Sequence, residues 1–369
     1  MEERKYQVCS RCVMDTTDSN IEFNDQGLCS YCQGFDQMIK PTWEEDKDYF
    51  LELKELADKI RKSRKKNTKY DCIIGMSGGT DSSYLVYIAK TVMGLNPLIY
   101  TVDTGWNLNV AVENIEKIVK KLNLDMYTEV VNWNEMRDLQ TAFFKSQVPY
   151  QDLPQDHAIF AGLYNYAVKN KIKYVLTGAN NATESIRPPM EWVYMNDIRF
   201  IRDVHKKYGS IKLKNFPQCG LFKYKVIYPY IMGMKRIAPL DLVKYDKKDA
   251  EAVLEREFGW QKYANKHYEN IFTRFYEGYY LIKKFGYDKR KTYLSNLIIT
   301  NQITREDAFL ELKKDKIYIA KKLGFTTEEF DRLINGENKT YRDYKNNYKR
   351  LSKLIKIANL IGIEKKKFG

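Results

Sequence analysis

The sequence predicts an α/β protein built on a doubly wound parallel sheet. Three observations carry this. An apolar run, Tyr70-Asp71-Cys72-Ile73-Ile74-Gly75-Met76, breaks into Ser77-Gly78-Gly79-Thr80-Asp81-Ser82 and continues with helical periodicity from Ser83 to Lys90. The same order of strand and then helix repeats through the next hundred residues. With 369 residues and 44% hydrophobic composition, the chain can fill a full core and two or three units.

Taken in order, the first forty residues read as irregular and cysteine-bearing, ending at Lys40-Pro41. Residues 43–66 are charged and periodic, with Phe50, Leu51, Leu53, Leu56, Ala57 and Ile60 on one side, so an amphipathic lead-in helix is expected. Strands are expected at 71–76, 97–102, 126–130 and 174–177, and helices at 82–92, 110–122, 133–145 and 155–169. Residues 220–240 are rich in Tyr, Ile and Val around Pro229 and read as a late or edge strand. From Lys247 onward, helical periodicity returns at 249–258, 267–285, 304–314, 316–323, 327–334 and 341–361. The expected units are a cysteine-rich segment over 1–40, an α/β domain over 41–245 and a basic helical domain over 246–369.

The turn after the first strand is an anion site in the making. Free N–H groups and the positive dipole end of a helix favour phosphate. Gly78 and Gly79 allow close backbone approach, Ser77 and Ser82 add hydroxyl donors, and Asp81 is placed to hold Mg²⁺ or cap the helix. The spacing matches neither a Walker loop nor a dinucleotide fingerprint. It resembles instead the PP-loop of the ATP pyrophosphatases, which cleave ATP between the α and β phosphates. An ordinary capped turn is the bland alternative.

Ligands of such sheets bind at the carboxyl ends of the strands. Asp103, after the second strand, is placed to meet ribose or adenine, or simply to cap the next helix. After the fourth strand, Gly178 permits approach to ATP, while Asn180, Thr183, Glu184 and Arg187 offer polar groups at the same end. Cys9-Ser10-Arg11-Cys12 and Cys29-Ser30-Tyr31-Cys32 are two paired knuckles separated by sixteen residues, the pattern of a structural four-thiolate Zn²⁺ site. An iron–sulfur cluster or redox pairs compete with that reading.

The formal net charge is +14, and residues 246–369 hold 28 Lys+Arg against 18 Asp+Glu. A basic tail suits nucleic acid or an acidic membrane surface. Lysine and tyrosine are abundant throughout, with 29 Tyr, so a solvated surface is the preferred reading. Nucleic acid and membrane are therefore not expected as partners. No apolar run of about 18 residues occurs and the N-terminus has no signal core, so a reducing cytoplasm is expected.

With these residues in view, the chain resembles the N-acetyl sugar amidotransferases, a branch of the ATP pyrophosphatases in bacterial surface-polysaccharide and nonulosonic-acid pathways. The likeness runs through the two knuckles, the residues from Met76 to Ser83, Asp103-Thr104-Gly105-Trp106, Asp156-His157-Ala158-Ile159-Phe160, the residues from Thr177 to Glu184, and Lys266-His267-Tyr268-Glu269-Asn270 through Phe275. The resemblance implies that ATP, with Mg²⁺, adenylates the acetamido oxygen of a sugar, and that ammonia displaces AMP to leave an acetamidino group. The sugar is expected to be nucleotide-linked, and ammonia to come from a separate glutaminase, since no glutaminase nucleophile is evident. His157 and His267 are expected to move a proton, and Arg274 to join Arg187 at a carboxylate or diphosphate. His267 and Arg274 would otherwise brace the basic domain. A tRNA-thiolating enzyme with the same adenylation chemistry is the alternative.

Overall fold

The computed structural model describes residues 5–42, 49–64, 68–186, 197–263, 267–305, 316–340 and 343–346. The N-terminal segment carries helix α1 (Ser30–Gly34), which continues as a π turn over Phe35–Ile39 where the sequence reads as irregular. The lead-in helix α2 (Tyr49–Ser63) then buries Leu53, Ala57 and Ile60, while Phe50 and Leu51, expected on the same side, stand exposed in its first turn.

The α/β unit follows as β1 (Cys72–Gly75), α3 (Thr80–Tyr87), β2 (Pro97–Asp103), α4 (Asn109–Lys121), β3 (Met126–Val130), α5 (Trp133–Ser146), α6 (Leu153–Lys169), β4 (Tyr174–Leu176), α7 (Asn181–Glu184), α8 (Ile198–Tyr208) and β5 (Lys235–Ile237). The five strands form one parallel sheet in the order β3-β2-β1-β4-β5. The switch in winding direction lies at β1, between β2 and β4, where a doubly wound sheet opens its ligand crevice.

Strand periodicity divides the core into two layers. Ile73, Leu98, Tyr100, Val102 and Val175 face a cluster with α5, α6 and α8. Cys72, Ile74, Ile99, Tyr174 and Leu176 face the opposite cluster, with α2, α3 and α4. At the inner strands β1, β2 and β4 both faces are covered, which is why these read as nearly continuous apolar runs, while the edge strand β3 stays largely exposed.

The expected strand within 220–240 is corrected in part. Lys223–Ile231 is a π-helical segment that contains Pro229, and only Lys235–Ile237 forms a strand, at the sheet edge. Tyr224 and Tyr228, four residues apart, both pack on Tyr164 of α6, at ring distances of 5.2 and 5.6 Å. That spacing is helical, and packing prevails over the β propensity of the run.

The remaining helices are α9 (Lys247–Phe258), α10 (Ile271–Phe275), α11 (Leu281–Phe285), α12 (Arg290–Ile299), α13 (Lys316–Leu323) and α14 (Thr327–Ile334). A π turn over Tyr276–Tyr280 joins α10 to α11. The helix α12 has no counterpart among the sequence expectations. Most of 304–314 and 341–361 lies outside the described residues. Among the described residues, no helix is long and apolar enough to cross a membrane.

Candidate active site

The loop after β1 is held by its own hydroxyls. Met76 N donates to Tyr100 O at 2.9 Å, which ties the chain to β2 as it leaves the sheet. Ser77 N donates to Ser82 Oγ at 3.2 Å, and Gly79 N donates to Ser77 Oγ at 3.3 Å. Gly79 is the N-cap of α3 and supplies no side-chain cap, so the helix begins with open N–H groups. Gly78 has φ +84°, and a Cβ there would stand 2.6 Å from Ala111 O of α4. Both the backbone conformation and the space demand glycine.

Four residues far along the chain complete this loop. Gly78 O accepts Trp260 Nε1–H at 3.0 Å and Tyr263 O–H at 3.2 Å. Ser77 Oγ donates to Glu269 Oε1 at 3.3 Å. Asp81 accepts the hydroxyl of buried Tyr245. Burial, together with the Asp81 charge, pushes the Tyr245 phenol well above its usual range, so this bond keeps its proton on tyrosine.

The other strand ends meet the loop from either side. Gly178, just beyond β4, lies so close to α3 that a Cβ would approach Asp81 C and Ser82 N at 3.0 Å. Asp103 Oδ1 accepts Gly105 N–H at 2.7 Å and fixes the turn after β2. That turn leads to Asn107, which bridges antiparallel to Asn270. Leu108 N donates to Glu269 O, and Ile271 N to Trp106 O, both at 3.0 Å. The segment from Glu269 to Ile271 is thereby stitched along the mouth of the loop. Nothing local in the sequence announces these contacts.

Several expected site residues have structural work of their own. Asn180 is the N-cap of α7, accepting Thr183 N–H at 2.9 Å and Thr183 Oγ1–H at 3.2 Å, and both residues are buried. Asn180 Nδ2 also donates to Gly178 O at 3.1 Å, so it shapes the turn beside the loop. Glu184 is half-buried near Asp241, whose carboxyl is raised mainly by burial. Arg187 lies outside the described residues. His157 is fully buried, and its Nε2 accepts Cys219 N–H at 3.2 Å, with Phe216 stacked on its ring. His267 has left-handed backbone, φ 64°, and its Nδ1 lies 3.9 Å from Glu269 Oε1. The Arg274 guanidinium lies over the Tyr268 ring, 5.6 Å from its centre. The structure therefore brings Met76, Ser77, Gly78, Gly79, Asp81, Ser82 and Gly178 together, with His267 at their edge.

Cys9, Cys12, Cys29 and Cys32 are buried, free of disulfides, and their sulfurs all lie within 4.8 Å of one another. Cys9 Sγ and Cys32 Sγ are 3.9 Å apart, and Cys12 Sγ and Cys29 Sγ 3.7 Å. A tetrahedral zinc site with Zn–S bonds of about 2.3 Å sets neighbouring sulfurs roughly 3.8 Å apart. Backbone N–H groups of Arg11, Cys12 and Cys29 point at Cys9 Sγ at 3.3–3.5 Å, as they would toward a thiolate. The cluster has the donor set and spacing of a structural zinc knuckle.

Residues 269–356 match the family model described as LPS biosynthesis protein WbpG-like, C-terminal domain, and residues 52–187 match NAD synthase. An uncharacterized protein of Methanocaldococcus jannaschii is 26% identical over 173 residues, 46% of this chain and 58% of that protein's length. NMN synthetase from Francisella tularensis overlaps with a TM-score of 0.31 at 15% identity, covering 72% of this chain and 97% of that one. The NH3-dependent NAD synthetase of Campylobacter jejuni gives 0.32 at 14%, covering 73% and 100%. The U34-tRNA thiolase NcsA of Methanococcus maripaludis gives 0.32 at 14%, covering 72% and 84%. Overlap of this order speaks to neither substrate nor chemistry. The two domain matches fall on the phosphate loop and on the segment that closes it, and together they support the resemblance to the N-acetyl sugar amidotransferases among PP-loop proteins.

Proposed function

We propose that this protein is an AMP-forming amidotransferase that converts the N-acetyl group of a nucleotide-linked sugar to an acetamidino group. One observation carries the reading. Glu269, the first residue of the WbpG-like match, touches Ser77 in the phosphate loop of the other matched region. The two halves of the sequence thus build one cleft.

An amide is a weak electrophile. Its oxygen attacks the α-phosphorus of ATP, and pyrophosphate leaves. Ammonia then adds to the activated imidate carbon, and AMP leaves with the former amide oxygen. The open N–H groups at the start of α3 and the hydroxyls of Ser77 and Ser82 suit the departing pyrophosphate. Gly178 keeps the neighbouring turn close enough to wall the nucleotide. Mg²⁺ would neutralise phosphate charge in this cleft. Glu269 fits as one of its ligands, because a carboxylate beside Ser77 repels phosphate unless a cation stands between them. Asp81 is the other nearby carboxylate.

His267, half-exposed and next to Glu269, is placed to take a proton as ammonia adds. His157 serves the core instead, since its Nε2 is committed to Cys219 N–H. Asn180 and Thr183 shape the acceptor side through their cap, with Glu184 and Arg187 offered to the sugar. Zinc in the knuckle would be structural. Ammonia supplied by a glutaminase partner completes the scheme. Against sulfur transfer to tRNA stands the burial of Cys72 and Cys219, at 0% and 1% exposure. A persulfide relay needs an accessible thiol.

The test is incubation with ATP, Mg²⁺ and a panel of uridine-diphosphate acetamido sugars, with ammonium or glutamine as nitrogen source. Turnover is expected with ammonium. Efficient turnover with glutamine on the isolated chain would contradict the separate-glutaminase part of the scheme.

A further inference from the structure

The sheet treats its two edges differently. At one, β5 is three residues long and carries Lys235 and Arg236, both exposed. Short length and cationic side chains are common guards against pairing with a strand of another chain. At the other, β3 runs Met126-Tyr127-Thr128-Glu129-Val130, with no lysine and no proline, and its register with β2 is unbroken by a bulge. Met126, Tyr127, Thr128 and Val130 are exposed, Val130 at 72%. An unguarded edge with apolar side chains is a template for a further strand.

The bonds that bracket β3 show which way its backbone faces. Ile99 N donates to Asp125 O at 3.0 Å, and Val131 N donates to Asp103 O at 2.9 Å. Successive residues alternate, so Tyr127 and Glu129 also turn their N–H and C=O groups toward β2. Met126, Thr128 and Val130 turn theirs outward. Among the described residues, no hydrogen bond reaches these outward groups.

The side chains divide by the same period. Met126, Thr128 and Val130 share one face, where Thr128 Oγ1 lies 3.1 Å from Thr101 Oγ1 of β2. Tyr127 and Glu129 share the other. There Tyr127 stacks on Tyr166 of α6 at 4.1 Å, and Glu129 accepts the Tyr100 hydroxyl. These contacts fix the strand from the β2 side and leave its outer edge open.

The strand is complementary to itself. A second copy turned antiparallel about Thr128 sets Met126 against Val130, Tyr127 against Glu129 and Thr128 against its own counterpart. Paired outward residues exchange both of their bonds, so every outward N–H meets an outward C=O. Apolar side chains oppose each other on one face, and on the other each carboxylate meets a phenol ring. A slip of one residue sets outward groups against inward ones. A slip of two residues sets Glu129 against Asp125 in one direction and against Glu129 in the other, and like charges directly opposite are destabilising. Of these near registers, the one centred on Thr128 alone satisfies both bonds and charges. That self-complementarity selects a second copy over an unrelated strand.

We propose that the protein forms a two-fold dimer through β3, joining two five-stranded sheets into one. The strands of each copy run parallel, and the seam is antiparallel, so the two phosphate loops lie at opposite ends of the joined sheet. The order β3-β2-β1 keeps the strand that carries the loop away from the seam. Assembly and turnover are therefore separable. A pair of short strands makes a small interface, so a dissociation constant on the order of 10 µM is expected.

The test is analytical ultracentrifugation of the full chain from about 1 to about 200 µM, a range that spans this constant. The wild type should pass from one chain mass to two. Val130→Lys places an ammonium group against Met126 of the second copy and should stay monomeric throughout. Met126→Glu should do the same. Both positions are exposed, so circular dichroism and turnover per chain should match the wild type. The double variant Met126→Glu/Val130→Lys should regain the dimer, because the register sets each new carboxylate against the new ammonium of the other copy. A wild type still monomeric at the highest concentration would overturn the pairing and leave the edge to a different protein. A dimer retained in Val130→Lys would place the interface elsewhere. A double variant that stays monomeric would overturn the Thr128-centred register on which the proposal stands.

Discussion

Asn296 holds Ile186: its side-chain oxygen accepts the Ile186 backbone N–H at 3.0 Å and also takes the Ser185 hydroxyl. The preceding residue on α12, Ser295, accepts Val13 N–H at 3.1 Å from inside the cysteine knuckle. One helix thus grips the knuckle with one residue and the turn after α7 with the next. Asn296→Ala would leave the buried Ile186 N–H without its partner, at a cost of about 1–3 kcal/mol. The expected outcome is a lower urea midpoint and a KM that rises more for sugar than for ATP. Equal effects on both substrates would count against a link between α12 and the acceptor side.

The knuckle should carry one zinc ion, and its removal should be felt beyond it. Lys291 pairs with Asp15, and Arg11 Nη2 donates to Ile299 O at 3.3 Å, so α12 leans on the folded knuckle. Cys29→Ser is expected to release the metal and lower the melting midpoint. Elemental analysis of fresh protein checks this. Iron with visible charge-transfer absorption would identify a different centre.

Gly78 and Gly79 should differ in their tolerance. Alanine at Gly78 meets the α4 backbone at 2.6 Å in a left-handed conformation. Alanine at Gly79 meets the Glu269 carboxylate at 2.8 Å, and that side chain can swing away. Gly78→Ala should abolish turnover and lower stability by at least about 1–2 kcal/mol. Gly79→Ala should keep stability and lose part of the activity. Steady-state kinetics and denaturant melts on the pair test the order.

Asp152 makes stability depend on pH. Its carboxyl is raised to about 8 in the fold, by burial and then by the charge of Asp156, against an ordinary carboxyl near 3.9 in the unfolded chain. The native state binds the proton more tightly, so the contribution is full below about pH 4 and fades as pH rises through about 8. Asp152→Asn should flatten the loss of stability between about pH 5 and pH 8. Parallel curves for wild type and variant would mean that Asp152 does not titrate in this range.

Local patterns were legible and distant contacts were not. The strand, double glycine and helix from Cys72 to Tyr87 declare themselves by periodicity and backbone freedom. The cysteine pairs declare themselves by spacing. Glu269, Trp260 and Tyr263 reach the loop across more than 180 residues, and no periodicity encodes that. The helix α12 escapes notice because its buried face is partly polar. Ser295 and Asn296 turn inward to meet backbone groups of other segments, and buried Thr292 bonds Lys289 O in its own first turn, so the usual apolar stripe is missing. His157 looks like a proton carrier in sequence, yet it lies among Phe216, Phe160 and Cys219.

The most direct test of the central claim follows nucleotide and sugar together. With ATP, Mg²⁺, ammonium and a uridine-diphosphate acetamido sugar, the products should be AMP, pyrophosphate and a sugar lighter by about one mass unit, as NH replaces O. Substrate-dependent ADP and phosphate, or AMP formation with every sugar mass unchanged and a thiolated tRNA in its place, would contradict the account.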